Sequence, residues 1–271
     1  IQRIVRTNPD AKVSVVFQQM MEVDFIIRMK ELRKEHGGAY FTHNYGHCVR
    51  LNGEYVGYLM DLTRLAVSEY NVFDAEVANM ITFQNVAKEE TENLCKSLDR
   101  PVVFFDFVSD DSSGPAYGRV IIELFSDLCP NACNNFIKLC QGGSAGAGVA
   151  FHYQNTVVHR VVQDGWLQCG DIVDGSGGNS VSSTGNPIED ECYSVDFGDE
   201  KGGILGYVSS GPHSNGSQFF VTVGPCAWMN NNKVGFGRVL QGYDVLAQIN
   251  RAPCRNQRPL PDITIGKCGK Y

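Results

Sequence analysis

The sequence contains no Cys-x-x-Cys pair among its ten cysteines, no apolar run long enough to cross a bilayer, and no excess of basic charge. Each absence excludes something. Cysteines 48, 95, 129, 133, 140, 169, 192, 226, 254 and 268 are scattered, and several fall inside apolar periodic segments where a free thiol acts as a small hydrophobe. A reduced, cytosolic interior is therefore expected rather than a disulfide framework. The most apolar early stretch, Val13 to Met29, is interrupted by Gln18, Gln19, Glu22, Asp24 and Arg28, so no transmembrane helix is expected. Formal charge is −7, and neither the first hundred residues nor the remainder is basic. Nucleic acid and anionic membrane are thus not expected partners. Repeats and low-complexity tracts are also missing.

What is present is ordinary globular composition, 43% apolar, 20% charged and 10% aromatic, over 271 residues. That length suggests two domains, and the texture changes near residue 100. Residues 1–100 hold the long helical periods, whereas residues 101–271 are rich in glycine and short β-branched runs. The boundary is placed at Leu98 to Pro101. The chain opens at Ile1 without methionine or a signal-peptide pattern, so preceding residues are expected to be missing.

In the first part, Val13 to Phe17 reads as a short strand, and Met21, Phe25, Met29 and Leu32 mark one face of a helix that Gly37-Gly38 ends. Asn52-Gly53, between Cys48–Leu51 and Glu54–Gly57, supplies the two positive-φ positions of a type I′ hairpin turn. Asp61 reads as the N-cap of a helix carrying Leu62, Leu65 and Ala66, and a further helix is expected from about Asp74 to Leu98. This order, with Val49–Gly57 and Asp61-Leu62, resembles the C-terminal part of the glutaredoxin and thioredoxin-like α/β fold. The redox cysteine pair of that fold has no counterpart here, and His47-Cys48 stands where its cis-proline would be. The resemblance implies a partial thioredoxin-like domain with no thiol chemistry of its own. His43, His47 and Cys48 form no second ligand cluster, so no metal is expected.

In the second part, Val102–Val108 and Gly118–Phe125 read as strands joined by a Gly-Pro turn. Pro130 opens a helix with Cys133, Phe136, Ile137 and Cys140 on its apolar face. Short strands are expected near residues 157–162, 166–169, 205–208, 218–223, 234–239 and 263–265, with a second helix around Gly242 to Ile249. Eight antiparallel strands and two helices suggest a closed β-barrel, which removes exposed sheet edges.

Within this part, Val103–Asp106, Glu123–Phe125, Asn135-Phe136, His159-Arg160, Gly170-Asp171, Glu189–Glu191, Ser214–Phe220 and Phe236-Gly237 resemble the cyclophilin family in order and spacing. The family's activity is peptidyl-prolyl cis/trans isomerisation. Rotation about an X-Pro bond faces a barrier of about 20 kcal/mol because amide resonance must be broken. A catalyst for it needs neither nucleophile, metal nor cofactor. It needs an apolar pocket for the ring, donors for the neighbouring carbonyl, and a cation aimed at the prolyl nitrogen, whose lone pair localises as the bond twists.

By this resemblance Arg160 is the catalytic cation, Gln168 holds the substrate backbone, Phe220 is a pocket wall and Trp228 stands at the rim. Phe219, one residue from Phe220, is expected to point to the opposite face and into the core. His159, Trp166, Gly175, Val208, Ser209, Ser210, Gln218, Met229 and Lys233 complete the implied substrate groove. Departures from the family are concentrated there. Gly165-Trp166-Leu167 replaces its Phe-Met pair, so either Trp166 fills the aromatic place or that wall is lost. Val208 and Ser210 are bulkier than alanine, and Lys233 replaces a histidine at the pocket floor.

Two functions follow. The first is a weak isomerase acting on proline-containing segments. The second is a degenerate cyclophilin kept as a binding or structural module in a larger assembly. The lead domain is also similar to that of isomerase-like proteins of ciliary axonemes, which implies microtubule or axonemal partners and a cytoplasmic or ciliary location.

Overall fold

Apolar spacing in the first segment produces a helix where it predicts one. The computed structural model describes residues 18, 20–43, 48–58, 61–62, 64–65, 68, 80–109, 116–145 and 149–271. The chain divides into two units, Ile1–Thr91 and Glu92–Tyr271. The expected strand Val13–Phe17, His47, Ala66, residues 74–79 of the later helix and the Gly114-Pro115 turn lie outside the described residues.

In the first unit, α1 (Glu22–His36) buries Met29 and Leu32 on one face, with Phe25 packed alongside and Tyr40 completing the cluster. Gly37, at φ +61°, ends the helix, and its N–H bonds the Arg33 carbonyl at 3.0 Å. Residues without a Cβ adopt that conformation at least cost. Strands β1 (Val49–Leu51) and β2 (Glu54–Gly57) form the expected hairpin, with φ of 52° at Asn52 and 89° at Gly53. The His43 ring stacks on Tyr58, and its Nδ1 lies 2.8 Å from the Tyr55 hydroxyl.

Asp61 departs from expectation. Leu62 donates to the Tyr58 carbonyl at 3.1 Å, so Tyr58 occupies the cap position. Asp61 lies three residues inside, and its carboxylate reaches back to the Tyr58 N–H at 2.9 Å. That is the second half of a capping box, which the bare presence of an aspartate before an apolar run does not distinguish from an N-cap. Helix α2 (Met80–Ser97) follows, and the division between the units falls within it. No helix among the described residues is long and apolar enough to cross a membrane.

The second unit is an eight-stranded antiparallel sheet with helices packed on it. Its strands are β3 (Val102–Ser109), β4 (Ala116–Leu124), β7 (Arg160–Val162), β8 (Trp166–Cys169), β9 (Ile204–Tyr207), β10 (Phe219–Thr222), β11 (Gly235–Gln241) and β14 (Ile263–Lys270). They lie in the order β14-β3-β4-β11-β9-β10-β8-β7. Two small hairpins absent from the sequence reading are β5 (Gly143–Ala145) with β6 (Val149–Phe151), and β12 (Cys254–Arg255) with β13 (Arg258–Pro259). Helix α3 (Pro130–Gln141), with Pro130 in its first turn, packs on β14, and α4 (Tyr243–Asn250) packs on β4.

The expected closed barrel is not formed. Strands β14 and β7 are the two edges of the sheet, and no ladder joins them. A single bridge from Val157 to Thr264, with Val158 N–H to the Ile263 carbonyl at 2.8 Å, crosses the gap. Closure requires every strand to make two ladders. Three-residue β7 makes one, with β8, and it is the irregular chain before it that meets β14, through Asn155 N–H to the Ile265 carbonyl at 2.7 Å and Ile265 N–H to the Thr156 carbonyl at 2.9 Å.

The core lies on the inner face of this sheet, around Phe136 of α3. Its ring meets those of Phe219 at 5.0 Å, Tyr153 at 5.1 Å, Phe236 at 5.2 Å and Phe105 at 5.7 Å. Buried polar atoms in this core are paired, as their desolvation requires. Tyr153 donates to the Ser217 carbonyl at 2.7 Å, and Tyr207 to that of Ala132 at 3.0 Å. Asn135 donates to the Tyr207 hydroxyl at 2.8 Å and to Gly216 O at 2.9 Å, and accepts from Ser183 N–H at 2.7 Å. The cysteines are free, and burial pushes the thiols of Cys129 and Cys268 up to about 12, which leaves them uncharged at neutral pH.

Candidate functional site

Period two along β10 separates the core from the site. Phe219 enters the inner cluster as expected, while Phe220 joins a second cluster on the outer face with Phe197, Cys226 and Met229. Trp166, Ile204 and Val208 pack against that second cluster. The same alternation runs along β8: Leu167 and Cys169 enter the core, whereas Trp166 and Gln168 stand on the outer face with Phe220. The aromatic wall is therefore not lost. Trp166 occupies this face two residues from Gln168.

Register then assembles a row. Arg160 on β7 pairs with Gln168 on β8, Gln168 with Phe220 on β10, Phe220 with Gly206 on β9, and Gly206 with Gly235 on β11. The two glycines are required by the aromatic floor. A Cβ on Gly206 would collide with the Phe220 ring, and one on Gly235 would lie 2.8 Å from Val195 and 3.0 Å from Phe197. The rings of Phe197 and Phe220 lie 5.8 Å apart over this glycine strip.

Arg160 is exposed at one end of the row. Its Nε donates to the Gln257 side chain at 2.7 Å, and its guanidinium carbon lies 5.3 Å from the centre of the Trp166 ring. Trp228, 62% exposed, meets Trp166 edge-on at 5.7 Å. Its short helix, Ala227–Met229, brings Met229 into the floor.

Gln168 donates to the Gln218 side-chain oxygen at 2.9 Å, and Gln218 in turn donates to the carbonyls of Gly177 at 2.9 Å and Asn179 at 2.8 Å. Asp171 holds the intervening loop, accepting from the N–H groups of Val173, Gly177 and Asn179. The Gly175 carbonyl accepts from Arg258 at 3.2 Å, next in the chain to the Gln257 that meets Arg160, and a Cβ on Gly175 would touch Val157. Gly177 is the loop glycine whose carbonyl meets Gln218. His159 is buried against this loop, and a Cβ on Gly177 would strike its ring. Burial holds its imidazole below the ordinary histidine value, so its neutral form is favoured.

On the far side of the floor, Val208 N–H bonds the Gln218 carbonyl at 3.0 Å, and Ser209 and Ser210 follow it out of β9. Lys233 turns its ammonium to Ser209, donating to the carbonyl at 3.3 Å and the hydroxyl at 3.1 Å. Ser210 is exposed and donates to the Ser214 hydroxyl at 3.4 Å. The thirteen predicted residues thus lie on or around the row, Gly175 by way of Arg258, the neighbour of Gln257. The reading missed Gln257, Phe197 and the two glycines. Gly206 and Gly235 interrupt apolar strand sequences, a signal of close approach. Gln257 sits in a turn at φ +66°, for which glutamine is a poor marker.

A cleft of about 320 Å³ between α3 and residues 183–191 contains none of the predicted residues. Among the described residues no group of three or more His, Cys, Asp or Glu is placed to hold a metal ion.

An outer aromatic floor beside an arginine and two glutamines, on an eight-stranded antiparallel sheet with packed helices, defines the class. The profile of the family described as "Cyclophilin type peptidyl-prolyl cis-trans isomerase/CLD" matches residues 107–270, and the chain belongs to that family. It is similar to proteins named "Probable inactive peptidyl-prolyl cis-trans isomerase-like 6". The one from Homo sapiens is 36% identical over 212 residues, which cover 78% of this chain and 66% of the human protein. The one from Mus musculus is 33% identical over 243 residues, covering 89% and 75% respectively.

Proposed function

We propose that the cyclophilin-like part, taken as residues 101–271, binds X-Pro segments in the outer groove and isomerises them weakly. The observation that carries this reading is the row itself, with Arg160 beside Gln168 and Phe220. A proline ring seated on Phe220 and Met229 would place its nitrogen toward the guanidinium. Among the described residues only Nε of Arg160 is engaged, by Gln257, and both terminal amino groups remain to approach the prolyl nitrogen. A planar fork of donors fixed in advance favours the twisted state, in which that nitrogen becomes a better acceptor. The Gln168 amide would hold the substrate backbone.

Weakness is argued from the same residues. The Trp166 ring beneath Arg160 draws the cation toward itself, and Val208 narrows the wall. The same features favour a second reading, a binding or structural module without turnover, and the relatives' names point the same way. The thioredoxin-like character of residues 1–100, and microtubule or axonemal partners, belong to this second reading and rest on resemblance. Co-sedimentation of the full chain with microtubules tests them.

NMR magnetisation exchange on a short X-Pro peptide with the full chain decides between the two, since it detects slow isomerases without a coupled protease. Slow exchange that falls at least about tenfold in Arg160→Ala supports the enzyme, in the range expected for loss of one transition-state donor. Peptide binding without exchange makes the groove a binding site only.

A further inference from the structure

Lys233 and Arg160 are two of several cations of this unit that hold no carboxylate among the described residues. Arg100, Arg119, Arg238 and Arg258 each hold a carboxylate, those of Asp127, Asp106, Glu123 and Asp262, at 2.6–2.8 Å. Among the described residues Arg160 has only the neutral Gln257 amide and the Trp166 ring, and Lys233 only the two oxygens of Ser209. An ammonium carries three N–H donors, so one of Lys233 remains after Ser209 is satisfied. Both cations border the Phe197, Phe220 and Met229 floor. Lys138 and Lys267 also hold no carboxylate among the described residues, but Lys233 and Arg160 are a pair beside the apolar floor, so a ligand lying there meets both with its own acid.

We propose that the groove selects proline segments that carry acidic side chains, with Lys233 and Arg160 as the residues that read the charge. This rests on the X-Pro reading above and deepens it. The position of the acid follows from register. Phe220 lies opposite Gly206, and Ser209 is three residues further along, about 10 Å at the extended spacing of about 3.3 Å per residue. A peptide lying along the groove with its proline on Phe220 therefore brings an acidic residue to Lys233 from two or three positions away.

Trp166 and Trp228 are the two tryptophans of the chain, so intrinsic fluorescence reports this groove without a label. The test titrates the full chain with seven-residue peptides bearing a central proline and, two positions to either side, Glu, Gln or Lys. The Glu peptide is expected to bind about tenfold more tightly than the Lys peptide in low salt. That preference should shrink severalfold between about 20 mM and about 500 mM salt, since exposed charges are screened over about a Debye length. Lys233→Gln keeps a donor for Ser209 and removes only the charge, and it should cut the preference about threefold. Lys233→Glu should reverse it. Equal binding of the Glu, Gln and Lys peptides overturns the proposal while leaving the X-Pro reading intact. No response to any peptide removes both.

Discussion

The two faces of β10 are built from adjacent residues of one type and serve opposite ends. Phe219 faces inward, where aromatic rings close around Phe136 and the buried hydroxyls and amide of Tyr153, Tyr207 and Asn135 all find partners. Phe220 faces outward onto a floor of four buried side chains, bordered by an exposed tryptophan and two cations without carboxylates. The inner face is complete in itself. The outer face has apolar area and, among the described residues, donors without an acceptor. One strand can do both because its side chains alternate.

The sharpest way to test this contrast is to truncate the inner ring. Phe219→Ala should cost about 3–5 kcal/mol, the usual range for a fully buried aromatic, read as a lowered urea midpoint with unchanged slope. A smaller loss is expected for Gly206→Ala, about 1–3 kcal/mol, because the new methyl forces the Phe220 ring from its seat on the outer face. Its second signature is loss of the peptide response in tryptophan fluorescence. If Gly206→Ala were as costly as Phe219→Ala, the outer cluster would be part of the structural core.

A pH effect separates the faces further. Burial lowers the folded His159 value below the ordinary one of about 6.5, so its contribution to stability is fully present above that pH. It is lost as pH falls through the lower folded value, because protonation must then occur in a desolvated site. The urea midpoint of the parent should accordingly drop more than that of His159→Gln between about pH 7.5 and about pH 5.5. An equal drop in both would show that other groups carry the dependence. The smallest change in stability is expected for Trp228→Ala, within about 0.5 kcal/mol, since most of the ring is already in water. Peptide binding should nonetheless weaken, and a variant that binds as before would remove Trp228 from the site.

Much of this was legible in the chain. Asn52-Gly53 announces its hairpin, Pro130 its helix, and Phe219-Phe220 the division between core and site, because each depends on neighbours within a few residues. The strings around His159-Arg160 and Ser214–Phe220 carried the family. Asp61 was misplaced by three positions, because an acidic residue suits both the cap and the third helical position.

By itself, then, the sequence determined the strand alternation and the turns, properties of short-range pattern, while the groove residues were implied by the family resemblance of its motifs. Only the tertiary structure decided that Gln257 meets Arg160 across 97 positions, that Lys233 leans on Ser209, and that the sheet stays open between β14 and β7. Those outcomes depend on strand register and on the path of loops between distant segments. A contact between residues so far apart is set by the summed geometry of everything between them, and it leaves no periodic trace in either partner's neighbourhood.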